Sequence, residues 1–271
     1  MKVFRAVLCL VGLFAALPVY GAQKTIAISD SLAANSDQLD VKMGTQWFGR
    51  IAKWSFGDFA VVSSKTGGTS VRTKTNFFHT KSESTATENF SFVMVNHASD
   101  SASVHAAHVA KSRAAHAVRV TKGLSLGDDG VQAESNLFTA FITINGDTAD
   151  TWTLSMGGTT VQGQPTSVEM SLTNGGRRIL MNSVTAARPG DAPRRFKLSS
   201  LFSAPARGIE YVENGASLCA VQYSHGGLGK DANTQKIWIH RRLEPKQQLM
   251  LAAAMTATLQ MLGSESAAAQ E

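Results

Sequence analysis

The feature that most constrains this chain is an uncharged, strongly apolar segment near its C-terminus. Between Leu249 and Leu262, 11 of the 14 residues are apolar and none is charged. Ala, Leu and Met favour helices, and Pro245 is well suited to a first helical position. The apolar positions go right round such a helix, so it must be enclosed by protein or by lipid.

The length of this segment favours protein over lipid. Fourteen helical residues extend about 21 Å, whereas the hydrocarbon core of a bilayer is about 30 Å thick. We therefore predict a buried helix over residues 245–262 and no transmembrane span in the mature chain. Gly263 is expected to stop the helix, and residues 263–271 are predicted to be a disordered tail.

The rest of the chain carries the pattern of antiparallel strands. Three Asn-Gly dipeptides, at 145–146, 174–175 and 214–215, each lie between runs of alternating apolar and polar residues. Asn and Gly tolerate the positive φ of tight hairpin turns. The strands predicted from this alternation are 47–51, 59–63, 70–75, 90–95, 116–121, 137–144, 151–156, 168–172, 179–184, 209–213, 218–223 and 237–240.

These elements predict a mainly β fold. We expect an antiparallel β-barrel or sandwich joined by hairpins, with the apolar C-terminal helix buried against or inside the sheet. A single β-rich domain would span residues 45–262, after a polar and loosely ordered segment at 23–44.

The C-terminal region resembles the tubby C-terminal-like superfamily, which includes phospholipid scramblases and LURP-one-related proteins. The resemblance covers Gly208–Leu262, with a hairpin at Asn214-Gly215, a loop at 224–234, the strand 236–240 and the helix from Pro245. It implies an antiparallel barrel of about a dozen strands around that helix. It also implies a lipid-facing role worth testing, because some members bind phosphoinositides or lie on membranes.

The N-terminus predicts export. Lys2 and Arg5 precede the apolar run 6–16, and small residues follow at Gly21 and Ala22, as in a secretory signal peptide. We expect residues 1–22 to be removed and the mature chain to be secreted or periplasmic. Removal takes two basic residues and Cys9, which leaves 26 − 2 = 24 basic against 20 acidic residues.

Composition excludes several classes of protein. A 43% hydrophobic content is too high for a disordered chain. The one cysteine left after processing, Cys219, cannot form an internal disulfide, and its alternation with Val221 and Tyr223 predicts a buried thiol.

One stretch concentrates positive charge. Between residues 177 and 207 the chain has seven basic residues and one acidic residue, Asp191. Basic loops attract anions, so we predict a non-enzymatic domain that binds an anionic lipid, an envelope polymer or an acidic protein partner. Nucleic acid is not expected as a partner of an exported protein. The predicted contact residues are Arg177, Arg178, Arg194, Arg195 and Lys197. Solvated charge that maintains solubility is the alternative interpretation.

Two short motifs suggest enzymes without completing them. Gly123-Leu124-Ser125-Leu126-Gly127 matches the serine hydrolase pattern, which requires a sharp turn and then a helix. The following Asp128-Asp129-Gly130 instead favours a turn, so Ser125 is an alternative nucleophile and no catalytic residue is assigned.

Lys65-Thr66-Gly67 resembles one box of the β-lactamases, but their S-x-x-K motif is absent from the sequence, which favours a strand-end turn.

Four histidines offer a second alternative function. His97, His105, His108 and His116 lie within twenty residues. On a helix, the last three would share one face and could bind zinc or copper. On a strand, His105 and His108 would point to opposite faces. We assign no metal ligand and expect no cofactor.

Overall fold

The computed structural model describes residues 25–43, 53–76, 81–115, 118–121, 124–126, 130–162, 164, 167–186, 206–224 and 235–268. The predicted signal peptide at 1–22, the predicted strand at 47–51 and the last three residues of the predicted tail lie outside the described residues.

Strands dominate the described residues, with a short helix near the N-terminus and a long one at the C-terminus. The strands are β1 Ser36–Asp40, β2 Ser55–Phe56, β3 Phe59–Thr66, β4 Ser70–Thr75, β5 Lys81–Val95, β6 Ser101–Ala115, β7 Val118–Thr121, β8 Leu124–Leu126, β9 Gly130–Ile144, β10 Thr151–Val161, β11 Ser167–Asn174, β12 Arg177–Thr185, β13 Arg207–Glu213, β14 Ala216–Ser224 and β15 Lys236–His240. The helices are α1 Asp30–Asn35 and α2 Pro245–Ala268, and a 3-10 turn covers Thr148–Asp150.

One antiparallel sheet is nearly closed into a barrel. Its strand order is β1-β15-β14-β13-β12-β11-β10-β9-β6-β5-β3-β2. Strand β4 pairs with the other end of β5, along the same edge as β3. The two ends of this path meet at a single bridge, where Lys42 and Ser55 exchange backbone hydrogen bonds of 2.8 and 2.9 Å. The prediction of a mainly β fold with one C-terminal helix against the sheet is therefore confirmed.

All three Asn-Gly sites form hairpin connections. Asn214 and Gly215 have φ of 50° and 81° and join Glu213 directly to its partner Ala216, as a tight primed turn requires. Asn145 and Gly146 also have positive φ. The remaining turn is shifted by one residue, because Asn174 pairs with Arg177 and the connection consists of Gly175 and Gly176.

Helix α2 provides the centre of the main core. It begins at Pro245 as predicted, and every residue from Leu249 to Met261 is buried. Buried hydroxyls on it are satisfied locally: Thr256 donates to the Ala252 carbonyl at 2.9 Å, and Thr258 lies 2.9 Å from the Tyr211 hydroxyl. The helix continues through Gly263 to Ala268, six residues beyond the predicted end. None of the described helices has the length and apolar character to cross a membrane.

Within residues 25–43 the structure has the helix α1 and the strand β1, which differs from the loose order expected for 23–44. Ile26 and Leu32 pack with Trp238 in a second, smaller core on the outside of the sheet. Glu210 accepts a hydrogen bond from the Ser29 amide at 3.0 Å. The polar composition of the segment concealed these two anchoring apolar residues.

The long strands β5, β6 and β9 have two distinct halves. We call residues 90–95, 102–106 and 138–144 the helix half, because their inward side chains, such as Phe92, are buried in the core around α2. We call residues 81–89, 107–115 and 130–137 the projecting half. None of its described side chains is buried.

Candidate functional site

The structure places two of the predicted contact residues in ion pairs. Arg177 donates twice to the Glu213 carboxylate, both at 2.9 Å, and its guanidinium lies 5.1 Å from the Trp152 ring centre. The hydrogen bonds to Glu213 raise the pKa of Arg177 above its ordinary value. Arg178 contacts Glu169 at 2.8 Å. Both arginines are thus compensated by acidic neighbours.

The other three predicted contact residues, Arg194, Arg195 and Lys197, lie outside the described residues. The described chain stops at Ala186, just after the end of β12, and resumes at Ala206. Arg177 is at the opposite end of β12, about 26 Å from Thr185 at the usual rise per strand residue. A contact that joins all five residues therefore stays a prediction.

The alternative sites are not assembled among the described residues. Ser125 lies within β8, opposite Arg119, and not at a turn that leads into a helix. His105 and His108 lie on strand β6 and point to opposite faces, and His108 is hydrogen-bonded to Asn136. His97 contacts Asp58 at 3.2 Å on the surface, and His116 is outside the described residues. No group of three or more metal-binding side chains occurs in the described part of the chain.

Cys219 is buried, as predicted. Burial, with a further contribution from the nearby charge of Glu210, raises the pKa of its thiol well above the ordinary value. A protonated, inaccessible thiol is a poor nucleophile, so Cys219 belongs to the core.

The projecting half and the edge strand β4 together carry an unpredicted cluster of positive charge. In β5 the core residues Phe90, Phe92 and Met94 have even numbers, so odd-numbered residues face outwards. The register then places five cations and one carboxylate on the outer face of β4, β5 and β6. We call this set the cationic face: Arg72, Lys74, Lys81, Glu83, Lys111 and Arg113.

The register gives the geometry of the cationic face. Thr85 on β5 pairs with Arg72 of β4 on one side and with Lys111 of β6 on the other. In the same way, Glu83 pairs with Lys74 of β4 and with Arg113 of β6. Neighbouring strands are about 4.8 Å apart, so the backbone positions of each cation pair are about 10 Å apart. All the charged side chains are exposed.

The charges on this face are largely uncompensated. Five basic residues against Glu83 give 5 − 1 = +4. Among the described residues, Arg113 alone of these cations forms an ion pair, to Glu83 at 3.4 Å. Charges on an edge strand such as β4 prevent strand addition, which accounts for Arg72 and Lys74. It does not account for Lys111 and Arg113, because β6 pairs on both sides.

A groove lies beside the cationic face on the same outer surface. Its volume is about 470 Å³, and it is bounded by the end of β3 and by β5, β6 and β9. Lys65, Ser91, His105 and Phe141 follow one another across the four strands. The Phe141 side chain is 50% exposed. We call this site the lateral groove.

The sequence contained a weak signal for this surface. Arg72 and Lys74, and likewise Lys111 and Arg113, are spaced by two residues, which places both members of each pair on one face of a strand. The two pairs are far apart in the chain, so only the pairing of β4 and β6 with β5 reveals one surface.

No family model, no curated protein and no solved structure matches this chain. Membership of the tubby C-terminal-like superfamily therefore stays a prediction.

Proposed function

We propose that this protein is a non-enzymatic, exported domain that binds an anionic component of the cell envelope. The observation that carries the proposal is the cationic face, where four exposed cations lack an acidic partner among the described residues. Holding like charges together without a counter-charge is unfavourable. A polyvalent anion would relieve this repulsion and gain several ionic contacts at once.

The character of the face favours a partner with several negative charges. Its cations are exposed and flexible, so each contact with one anion would be weak in water. Several contacts in parallel give useful affinity, and such binding falls as salt screens the charges. An anionic lipid surface, an envelope polymer and an acidic protein all meet this requirement.

The segment 187–205 remains a predicted second contact. Its anchors are Ala186, just after β12, and Ala206, just before β13. They lie at the end of the sheet to which the projecting half extends, because Lys111 is level with Ser135 on β9, with Thr159 on β10 and with the start of β11. The segment has four basic residues and one acidic residue. Arg194, Arg195 and Lys197 would extend the anionic contact from this end.

Charge reversal tests the proposal. We expect Arg72→Glu with Lys111→Glu to weaken binding at least about tenfold, since each lost ionic contact is worth about 1 kcal/mol at an anionic surface. The measurements are co-sedimentation with phosphatidylglycerol vesicles and the salt concentration that elutes the protein from a heparin column. A separate Arg194→Glu with Arg195→Glu variant measures the contribution of segment 187–205.

The matched control reverses two exposed cations at the other end of the barrel, Arg242→Glu with Lys246→Glu. It makes the same change in net charge and should bind nearly as the unmodified protein does. Equal losses in the control and in the test variant would mean that binding follows net charge and that the cationic face has no special role. Absence of any anion binding by the unmodified protein would overturn the proposed function.

A further inference from the structure

We infer that the anionic ligand is a linear acidic glycan, with one sugar ring held in the lateral groove against Phe141 and acidic groups on the cationic face. This inference rests on the proposed function and specifies its ligand. It combines an aromatic surface, a concave site and a row of cations, which are three features that one flexible polyanionic chain could contact together.

The lateral groove has an aromatic and polar lining. Phe141 is a large aromatic side chain that is half exposed on the outer face of a sheet. An exposed aromatic in a groove with a few polar groups is typical of a ligand site. Ser91, Asn89 and His105 supply hydrogen-bonding side chains beside it. A sugar ring matches this combination, because its C–H face is apolar and its edge carries hydroxyls.

Small residues lie next to the lateral groove on the side that faces the cations. Gly67 passes close to β5, where an added Cβ would lie 3.0 Å from the Asn89 carbonyl oxygen. Ala107 follows on β6 at the same level, opposite Asn89. Thr87, Val109 and Leu137 form the next row on the outer face, before Thr85 and Lys111. A chain bound in the groove would pass over this row to reach the cations.

Cations lie at two separate levels of the outer face of β5. Lys65 is level with Ser91, and the cationic face begins at the level of Thr85, after two uncharged rows at Asn89 and Thr87. From Ser91 to Glu83 the strand extends eight residues, about 27 Å at the usual rise of a strand. A single headgroup or small anion would reach one of the two levels, whereas a chain with several acidic groups could reach both.

Two other polyanions fit less well. Phe141 lies on strand β9 and lines a shallow groove, so it does not stand on a protruding loop that could insert into a bilayer. An acidic peptide bound through the basic side chains would leave Phe141 and His105 without a role. Charge complementarity together with a ring-binding groove therefore favours the glycan.

The experiment uses the mature protein and a hexamer of galacturonic acid as the probe, with binding measured by titration calorimetry. We expect Phe141→Ala to weaken binding of the hexamer about tenfold and to leave binding to phosphatidylglycerol vesicles unchanged. The matched control is Leu137→Ala, which removes a similarly exposed side chain from the same face of β9, outside the groove lining. We expect it to change affinity for the hexamer less than about twofold. A second readout is the imidazole NMR signal of His105, which should shift on addition of the hexamer.

The outcomes separate this inference from the proposed function. If Phe141→Ala binds the hexamer normally while Arg72→Glu with Lys111→Glu loses both hexamer and vesicles, the anion-binding function stands and the glycan inference is wrong. Tighter binding of polyglutamate than of the hexamer, insensitive to Phe141→Ala, would identify an acidic protein partner and also overturn it. If no variant affects any probe, both proposals fail.

Discussion

The two halves of β5, β6 and β9 share the same strands and pairings but differ in what their inward faces contact. In the helix half, Phe92, Val104 and Ile142 face the core around α2 and are almost completely buried. In the projecting half, the inward positions are small or polar, as at Ala86, Ala110 and Glu134, and none of the described side chains is buried.

The difference shows that the sheet is stabilised by α2 over part of its length only. Apolar burial is the main favourable contribution to folding, and it is concentrated where the helix meets the strands. The projecting half depends mostly on backbone hydrogen bonds to neighbouring strands. Its outer face is therefore free to carry like charges that are unnecessary for the fold, which is a common property of binding surfaces.

The largest expected effect comes from placing a charge on α2. Met255→Asp should unfold the protein, because Met255 is completely buried and an unpaired buried carboxylate costs several kcal/mol. The matched change in the projecting half is Ala86→Asp, where the side chain reaches water. We expect it to cost about 1 kcal/mol or less. Chemical denaturation followed by circular dichroism measures both. Similar losses in the two variants would contradict the division into halves.

The sequence predicted helix α2 and the strands that follow β9 well, because their signals are local. The buried helix, the hairpin turns and most strands between residues 137 and 240 follow from periodicity and from Asn-Gly dipeptides. The projecting half was missed because its partial burial gives no strict alternation. Both halves of β6 were missed, since residues such as Ala106, Ala107 and Ala110 made this strand equally compatible with a helix.

The candidate site was beyond prediction from local pattern. The sequence concentrates arginines between residues 177 and 207, yet two of them are compensated by Glu213 and Glu169. Lys111 and Arg72 are 39 residues apart and become neighbours only through the register with β5. Net charge and local charge density do not report which cations will meet acidic partners across strands.

A smaller effect is expected from the polar contact within the main core. The Tyr211 hydroxyl lies 2.9 Å from Thr258, and burial raises the pKa of this phenol, which stays protonated and able to donate. Tyr211→Phe should destabilise the protein by about 1 kcal/mol, because it removes one buried hydrogen bond. In the projecting half, His108→Ala removes the contact with Asn136 and should cost less, since both groups there remain partly accessible to water.

Thermal unfolding of these two variants measures this second difference between the halves. A loss on His108→Ala equal to or larger than that on Tyr211→Phe would show that the projecting half contributes its own polar stabilisation. In that case the strands that carry the cationic face would be more stable than their exposure to solvent indicates.

The smallest effect concerns the turn that closes the helix-half end of β5 and β6. A hydrogen bond from Asn145, 2.7 Å from the carboxylate, lowers the pKa of Asp100 more than partial desolvation raises it, and Asn96 and Lys246 lower it further. The folded pKa is thus below the unfolded value of about 3.9. The resulting stabilisation is fully present above that value and is lost as pH falls through the folded pKa.

Asp100→Asn should therefore flatten the dependence of Tm on pH in the acid range. Asn145→Ala should bring the Asp100 pKa, measured by carboxyl NMR titration, back towards its ordinary value. Parallel acid curves for Asp100→Asn and the unmodified protein would show that this turn does not stabilise the helix half.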